Sequence, residues 1–125
     1  PGLTPAFGHG THVAGLIALV APEARIMPVR VLDANGRGNA WVLAEGLSYA
    51  VERGPDGVAA SGDEPGVVNL SLATLRQTQL LQELVAAASC AEGELCAAAG
   101  GAVVVVAAGN SGDTTPHYPA AEQAA

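Results

Sequence analysis

The chain has 125 residues, half of them hydrophobic, with 12 acidic side chains against 5 basic ones and a net charge of −7. That length suits one domain, the acidic balance without a single lysine argues against nucleic acid as a partner, and no apolar run is long enough to cross a membrane. The first residue is Pro1 and the last six are Ala-Ala-Glu-Gln-Ala-Ala, with no signal peptide, cap or linker at either end. We therefore expect residues 1–125 to be part of one longer domain.

In chain order, Pro1, Gly2, Pro5 and Gly8 mark an opening loop. Thr11 to Val20 reads as a helix, with Val13, Leu16, Ile17 and Val20 at helical spacing and small Gly10, Ala14, Gly15 and Ala18 between them. A helix this apolar is expected in an interior, with its polar first turn opening onto a site. Pro22 breaks the pattern, and Arg25 to Leu32 reads as a strand, although Pro28 is awkward in a central one. Asp33 to Gly38 is rich in turn formers.

Asn39 can cap a second helix running to about Arg53, with Leu43, Gly46, Leu47, Ala50 and Val51 on one stripe and Gly54 beyond its end. Residues 55–66 form a polar surface loop, and Val67 to Leu72 reads as the next strand. Thr74 to Gln77 offers a capping box for a third helix buried through Leu80, Leu81, Leu84, Val85 and Ala88. Val103 to Ala107 is an unbroken β-branched run of the kind that suits a parallel strand covered on both sides. Strands alternating with helices at this spacing mean βαβ crossovers. The expected fold is α/β: three layers, a mostly parallel sheet with helices on both faces, incomplete within this chain.

Ligands of open α/β sheets bind beyond the carboxyl ends of the strands. Gly36-Arg37-Gly38, Ser71-Leu72-Ala73 and Ala108-Gly109-Asn110-Ser111 each follow a strand, and His9 joins them if its helix also follows one. His9-Gly10-Thr11-His12-Val13-Ala14-Gly15 resembles the histidine motif of the subtilisin-like serine peptidases, in which the first histidine is the general base of a Ser-His-Asp triad. Ala107-Ala108-Gly109-Asn110 resembles that family's oxyanion-hole segment, with the Asn110 amide donating to the developing oxyanion. Val68 to Ala73 resembles the strand whose end forms one wall of the cleft and of the primary specificity pocket. Leu32 to Gly38 resembles the segment that pairs with the substrate backbone from the other side. Tyr118-Pro119-Ala120 also fits the family, so the resemblance runs from Gly8 to Tyr118.

The resemblance implies a secreted serine endopeptidase that holds a protein or peptide substrate as an added strand. Catalytic roles fall on His9 and Asn110. Substrate contacts fall on Gly36, Arg37, Gly38, Ser71, Leu72, Ala73, Ala108 and Gly109. No cofactor is implied. Relatives often carry a longer loop after the histidine helix that binds calcium, but here Gly15 runs within seven residues into Ala21-Pro22, so no metal is expected there. The triad order is Asp, His, Ser, with the aspartate about 30 residues before the histidine and the serine about 150 after it. No acidic residue precedes His9, and Ser111 belongs to the oxyanion loop, so this chain alone is expected to be inactive. Ala73 stands where a glycine is common, which narrows the first pocket.

Competing readings remain open. His9 and His12 could be two surface histidines, or metal ligands three apart, though no acidic or cysteine ligand sits at a telling spacing. The whole could be a non-catalytic relative that binds extended peptides, or an unrelated α/β domain holding a small anion at its glycine loops, for which no phosphate-binding spacing is present. Cys90 and Cys96 read equally as a small disulfide loop or as two free thiols. His117, beside Pro116, reads as a solvated loop residue.

Overall fold

A computed structural model of the chain describes residues 6–58, 61–89 and 102–121, and the Cys90 to Cys96 segment lies outside them. Five elements follow in order: helix α1, His9–Val20; helix α2, Ala40–Arg53; strand β1, Val67–Leu70; helix α3, Gln79–Ser89; and strand β2, Val103–Val106. β1 and β2 are parallel neighbours, registered from Val67 opposite Val103 to Leu70 opposite Val106. Parallel strands need a crossover between them, and α3 lies in it. The fold is α/β, as the alternation of patterns implies.

The best-read element is α2, because both of its ends are local chemistry. Asn39 Oδ1 accepts a 2.9 Å hydrogen bond from the Val42 N–H, satisfying one of the first-turn donors. The helix stops at Gly54, whose N–H still reaches Ala50 O. Leu43, Ala44, Leu47 and Ala50 form its buried stripe. Gly46 lets an extended segment lie against the helix: a methyl group there would stand 2.6 Å from Val31 Cγ1. The cap of α3 is Thr78, whose hydroxyl accepts from the Leu81 N–H at 3.2 Å, and not the Thr74 box expected from spacing. Thr74 is drawn instead into a turn, with the Arg76 N–H on its hydroxyl.

The core is Leu43 from α2, Leu70 from β1 and Leu81 from α3, with Val68, Val85, Val104 and Val106 packed around them. Leu81 is 2% exposed. Period two decides which strand residues join it. Val68, Leu70, Val104 and Val106 face the helices, and the alternate positions face away. Val67, Val103 and Val105 are exposed, so the described residues supply the helices of one face of an incomplete α/β sheet.

Two expectations are corrected. Residues 25–32 alternate as a strand should, Met27, Val29 and Val31 half-buried and Ile26, Pro28 and Arg30 exposed, yet among the described residues they join no ladder. Pro28 has no N–H to give, and a cavity of about 170 Å³ lined by Val29, Val31, Leu47 and Val68 separates the segment from β1. Helix α1 forms from His9, two residues earlier than its pattern suggests, but buries none of its residues. Among the described residues it packs on none of the other four elements, and Leu19 and Val20 are 77% and 84% exposed. Helical spacing makes the stripe; a second surface is needed to bury it.

Candidate functional site at the carboxyl edge of the sheet

His9 is the first residue of α1, and the preceding Gly8 turns the chain in at φ 78°. Its Nε2 lies 2.8 Å from the carbonyl oxygen of Ser71, the residue directly beyond β1. A carbonyl only accepts, so in this contact Nε2 carries a proton and donates. The Ser71 hydroxyl is engaged separately, accepting from Asn69 Nδ2 at 2.9 Å.

The loop after β1 is tied to the loop after β2. The Ala107 N–H donates to Leu70 O at 3.2 Å, extending the strand pairing by one step. Farther out, Thr74 and Tyr118 exchange two backbone hydrogen bonds of 2.9 and 2.8 Å as an antiparallel bridge. Ser71, Leu72 and Ala73 on one side and Ala108, Gly109 and Asn110 on the other are therefore held between two fixed points. Asn110 lies four residues beyond β2, exposed, and its carboxamide makes no hydrogen bond among the described residues. His9 is exposed too, so both groups open to solvent beyond the carboxyl ends of the same two strands.

The Asp33 to Gly38 loop reaches the same neighbourhood from the other side. The Asp33 carboxylate accepts the N–H groups of Asn35 and Arg37, each at 2.8 Å, and its own N–H donates to Arg37 O. The backbone donor of Arg37, then that of Asn35, holds its carboxyl below the usual carboxylate range. Gly36 sits at φ 74°, and a methyl on it would come within 2.8 Å of Ala6 Cβ. Because Ala6 O accepts the His9 N–H, the loop carrying Gly36, Arg37 and Gly38 lies against the entry of α1. Four segments far apart in sequence thus touch in series: the Gly36 loop on Ala6, His9 on Ser71, and the β1 loop on the β2 loop.

Sequence reading missed what organises the last of these. The Asp113 carboxylate accepts from the Ser111 hydroxyl and from the Thr115 N–H, both at 2.9 Å. The Thr115 backbone donor, followed by the Ser111 hydroxyl, lowers its pKa. His117 is half-buried, not the solvated residue expected, with Nδ1 2.9 Å from Thr115 O. An aspartate two residues after a serine is the local signal that could have located this turn. As for metals, no group of three or more His, Cys, Asp or Glu side chains among the described residues could hold one, and His9 and His12 stand without a third ligand there.

The sequence matches the model of the Subtilase family over residues 3–125. It is 38% identical over 123 residues to thermitase of Thermoactinomyces vulgaris, covering 90% of this chain and 37% of that protein. Against subtilisin BL of Lederbergia lenta it is 36% identical over 122 residues, covering 90% of this chain and 38% of the relative. The minor extracellular protease Epr of Bacillus subtilis is 34% identical over 90 residues, 65% of this chain and 12% of its own. The chain thus spans between about an eighth and two fifths of the length of these relatives.

Proposed function

The chain belongs to the Subtilase family, and from that premise we propose that its protein is a serine endopeptidase in which His9 is the general base and Asn110 an oxyanion donor. The supporting observation is the 2.8 Å approach of His9 Nε2 to Ser71 O, which sets the imidazole beyond the carboxyl end of β1, the strand paired with the one whose following loop carries Asn110. For catalysis the ring releases that carbonyl and changes tautomer, its proton moving to Nδ1, so that the Nε2 lone pair is free to take the proton of a serine hydroxyl as the oxygen attacks the scissile carbonyl. The same nitrogen then returns the proton to the leaving amine. An aspartate hydrogen-bonded to Nδ1–H holds the ring and stabilises the imidazolium. In this reading the serine and that aspartate lie in parts of the protein outside these 125 residues. The chain alone is therefore inactive, and no cofactor takes part.

The substrate is proposed to lie as an extended strand between Gly36-Arg37-Gly38 and Ser71-Leu72-Ala73, bonded through its main chain. Ala108 and Gly109 close the pocket next to Asn110, whose amide meets negative charge as it develops on the carbonyl oxygen. Export of the protein is part of the proposal, in line with a relative named as extracellular.

The test is made on the full-length protein. It is expected to cleave peptide p-nitroanilides and to be labelled on one serine by a fluorophosphonate. His9→Ala should lower kcat on the order of 10⁶-fold, the scale known for loss of this group in a subtilisin. Asn110→Ala should lower kcat about 10²- to 10³-fold with KM little changed, again a magnitude established within this family. A protein that binds peptides yet neither cleaves nor labels would be the non-catalytic relative, and cleavage undiminished by His9→Ala would remove the histidine from the mechanism.

A further inference from the structure

We propose that His117 is a positioning residue for the Asn110 loop, its ring clamped across Gly109 so that the peptide carrying the Asn110 side chain has one orientation. The inference rests on the proposed role of Asn110 and adds to it a group that reading the sequence sets aside. Gly109 has φ 93°, a conformation few residues but glycine adopt. A methyl built on it would stand 2.6 Å from His117 Cγ, 2.7 Å from Cδ2 and 2.8 Å from Nδ1. Three ring atoms at nearly one distance place that point over the face of the imidazole and not off its edge. The ring therefore occupies the space a side chain at residue 109 would take.

The ring is itself held from both directions. Nδ1–H donates to Thr115 O at 2.9 Å; the Thr115 N–H donates to Asp113; and the Ser111 hydroxyl donates to the same carboxylate oxygen. The loop from Ser111 to His117 thus closes on itself and folds its last side chain back over the residue before Asn110. On the other side, Tyr118 is fixed to Thr74 by two backbone hydrogen bonds. Asn110 lies inside this clasp, exposed like residues 111–116, and its carboxamide has no hydrogen bond among the described residues to orient it. An oxyanion donor works only within about 2.7–3.1 Å of where the charge develops, so a loop free to shift by an ångström forfeits much of its effect.

The experiment is a double-mutant cycle on the full-length enzyme, with kcat and KM measured for a peptide p-nitroanilide. His117→Ala is expected to lower kcat about 10-fold, a part of what loss of the donor costs, with KM within about twofold. In the Asn110→Ala background the same substitution should cost less than about twofold, because the donor it positions is gone. Should the alanine variant not fold, His117→Asn, whose amide can still donate to Thr115 O but carries no ring, is measured in its place; it is expected to lose about threefold and to show the same non-additivity. Equal losses in both backgrounds overturn the proposal. So does a rise in KM at constant kcat, which would make His117 a substrate contact. An Asn110→Ala enzyme with undiminished kcat would remove the oxyanion role and this inference together, whereas failure of the His117 arm alone leaves the Asn110 loss in place.

Discussion

Helices α1 and α2 make an instructive pair. α1 is the more uniformly apolar, yet none of its residues is buried; α2 carries charged and polar residues and buries four. What separates them is the neighbour. α2 has an inner stripe matched to α3 and to the core residue Leu70, whereas α1 has nothing of the kind among the described residues and is tied to the loop after β1 through the His9 contact with Ser71. Apolar surface states a demand for cover without saying what covers it. The same division runs through the candidate site. The loops after β1 and β2 are bonded to each other by backbone, while the histidine arrives on a separate helix.

Substitutions measured as unfolding free energies in denaturant sharpen this contrast, and the largest effect is expected at Leu81. Leu81→Ala should cost about 2–5 kcal/mol, since the side chain is 2% exposed and leaves a cavity among Leu43, Leu70 and Val104. Asn39→Ala, which strips the α2 cap, should cost about 1 kcal/mol. Leu19→Ala in α1 should fall within about 0.5 kcal/mol of zero, because 77% of that side chain is already in water. If Leu19→Ala costs as much as Leu81→Ala, α1 is packed in solution and the contrast is broken.

The sheet face left exposed among the described residues makes a further expectation. Val67, Val103 and Val105 lie together on it, in register across two strands, and the 125-residue chain alone should self-associate in sedimentation experiments. A monomer at high concentration would show that face to be covered.

The smallest effect concerns acid. Asp33 and Asp113 both have carboxyls held below their ordinary value of 3.8 by backbone donors. With the folded pKa depressed, the unfolded chain binds more protons in the window between the two values. The contribution is therefore present above about pH 4 and lost as pH falls through the depressed folded values. Asp113→Asn should flatten that part of the acid unfolding curve, read by circular dichroism; an unchanged curve would show the carboxylate to be idle.

Much of this was legible in sequence wherever the determining chemistry is local. The α2 limits follow from Asn39 and Gly54, and the strand at Val103 follows from a β-branched run that no helix favours. Reading failed where a local signal had a competitor. Thr74 and Thr78 can each cap α3, and the pairing of Thr74 with Tyr118 settles it for Thr78. His117 looked idle because its partner Gly109 is eight residues back around a turn, a spacing with no periodic signature.

The sequence by itself determined the family and the α/β alternation, because each is written in short runs of neighbouring residues. Tertiary structure alone decided that His9 meets Ser71, that the Gly36 loop lies on Ala6, and that the loops after β1 and β2 are bonded to each other. Those outcomes depend on contacts between segments tens of residues apart, and a contact of that kind exists only when burial and hydrogen bonding along the intervening chain have already brought both ends to the same place.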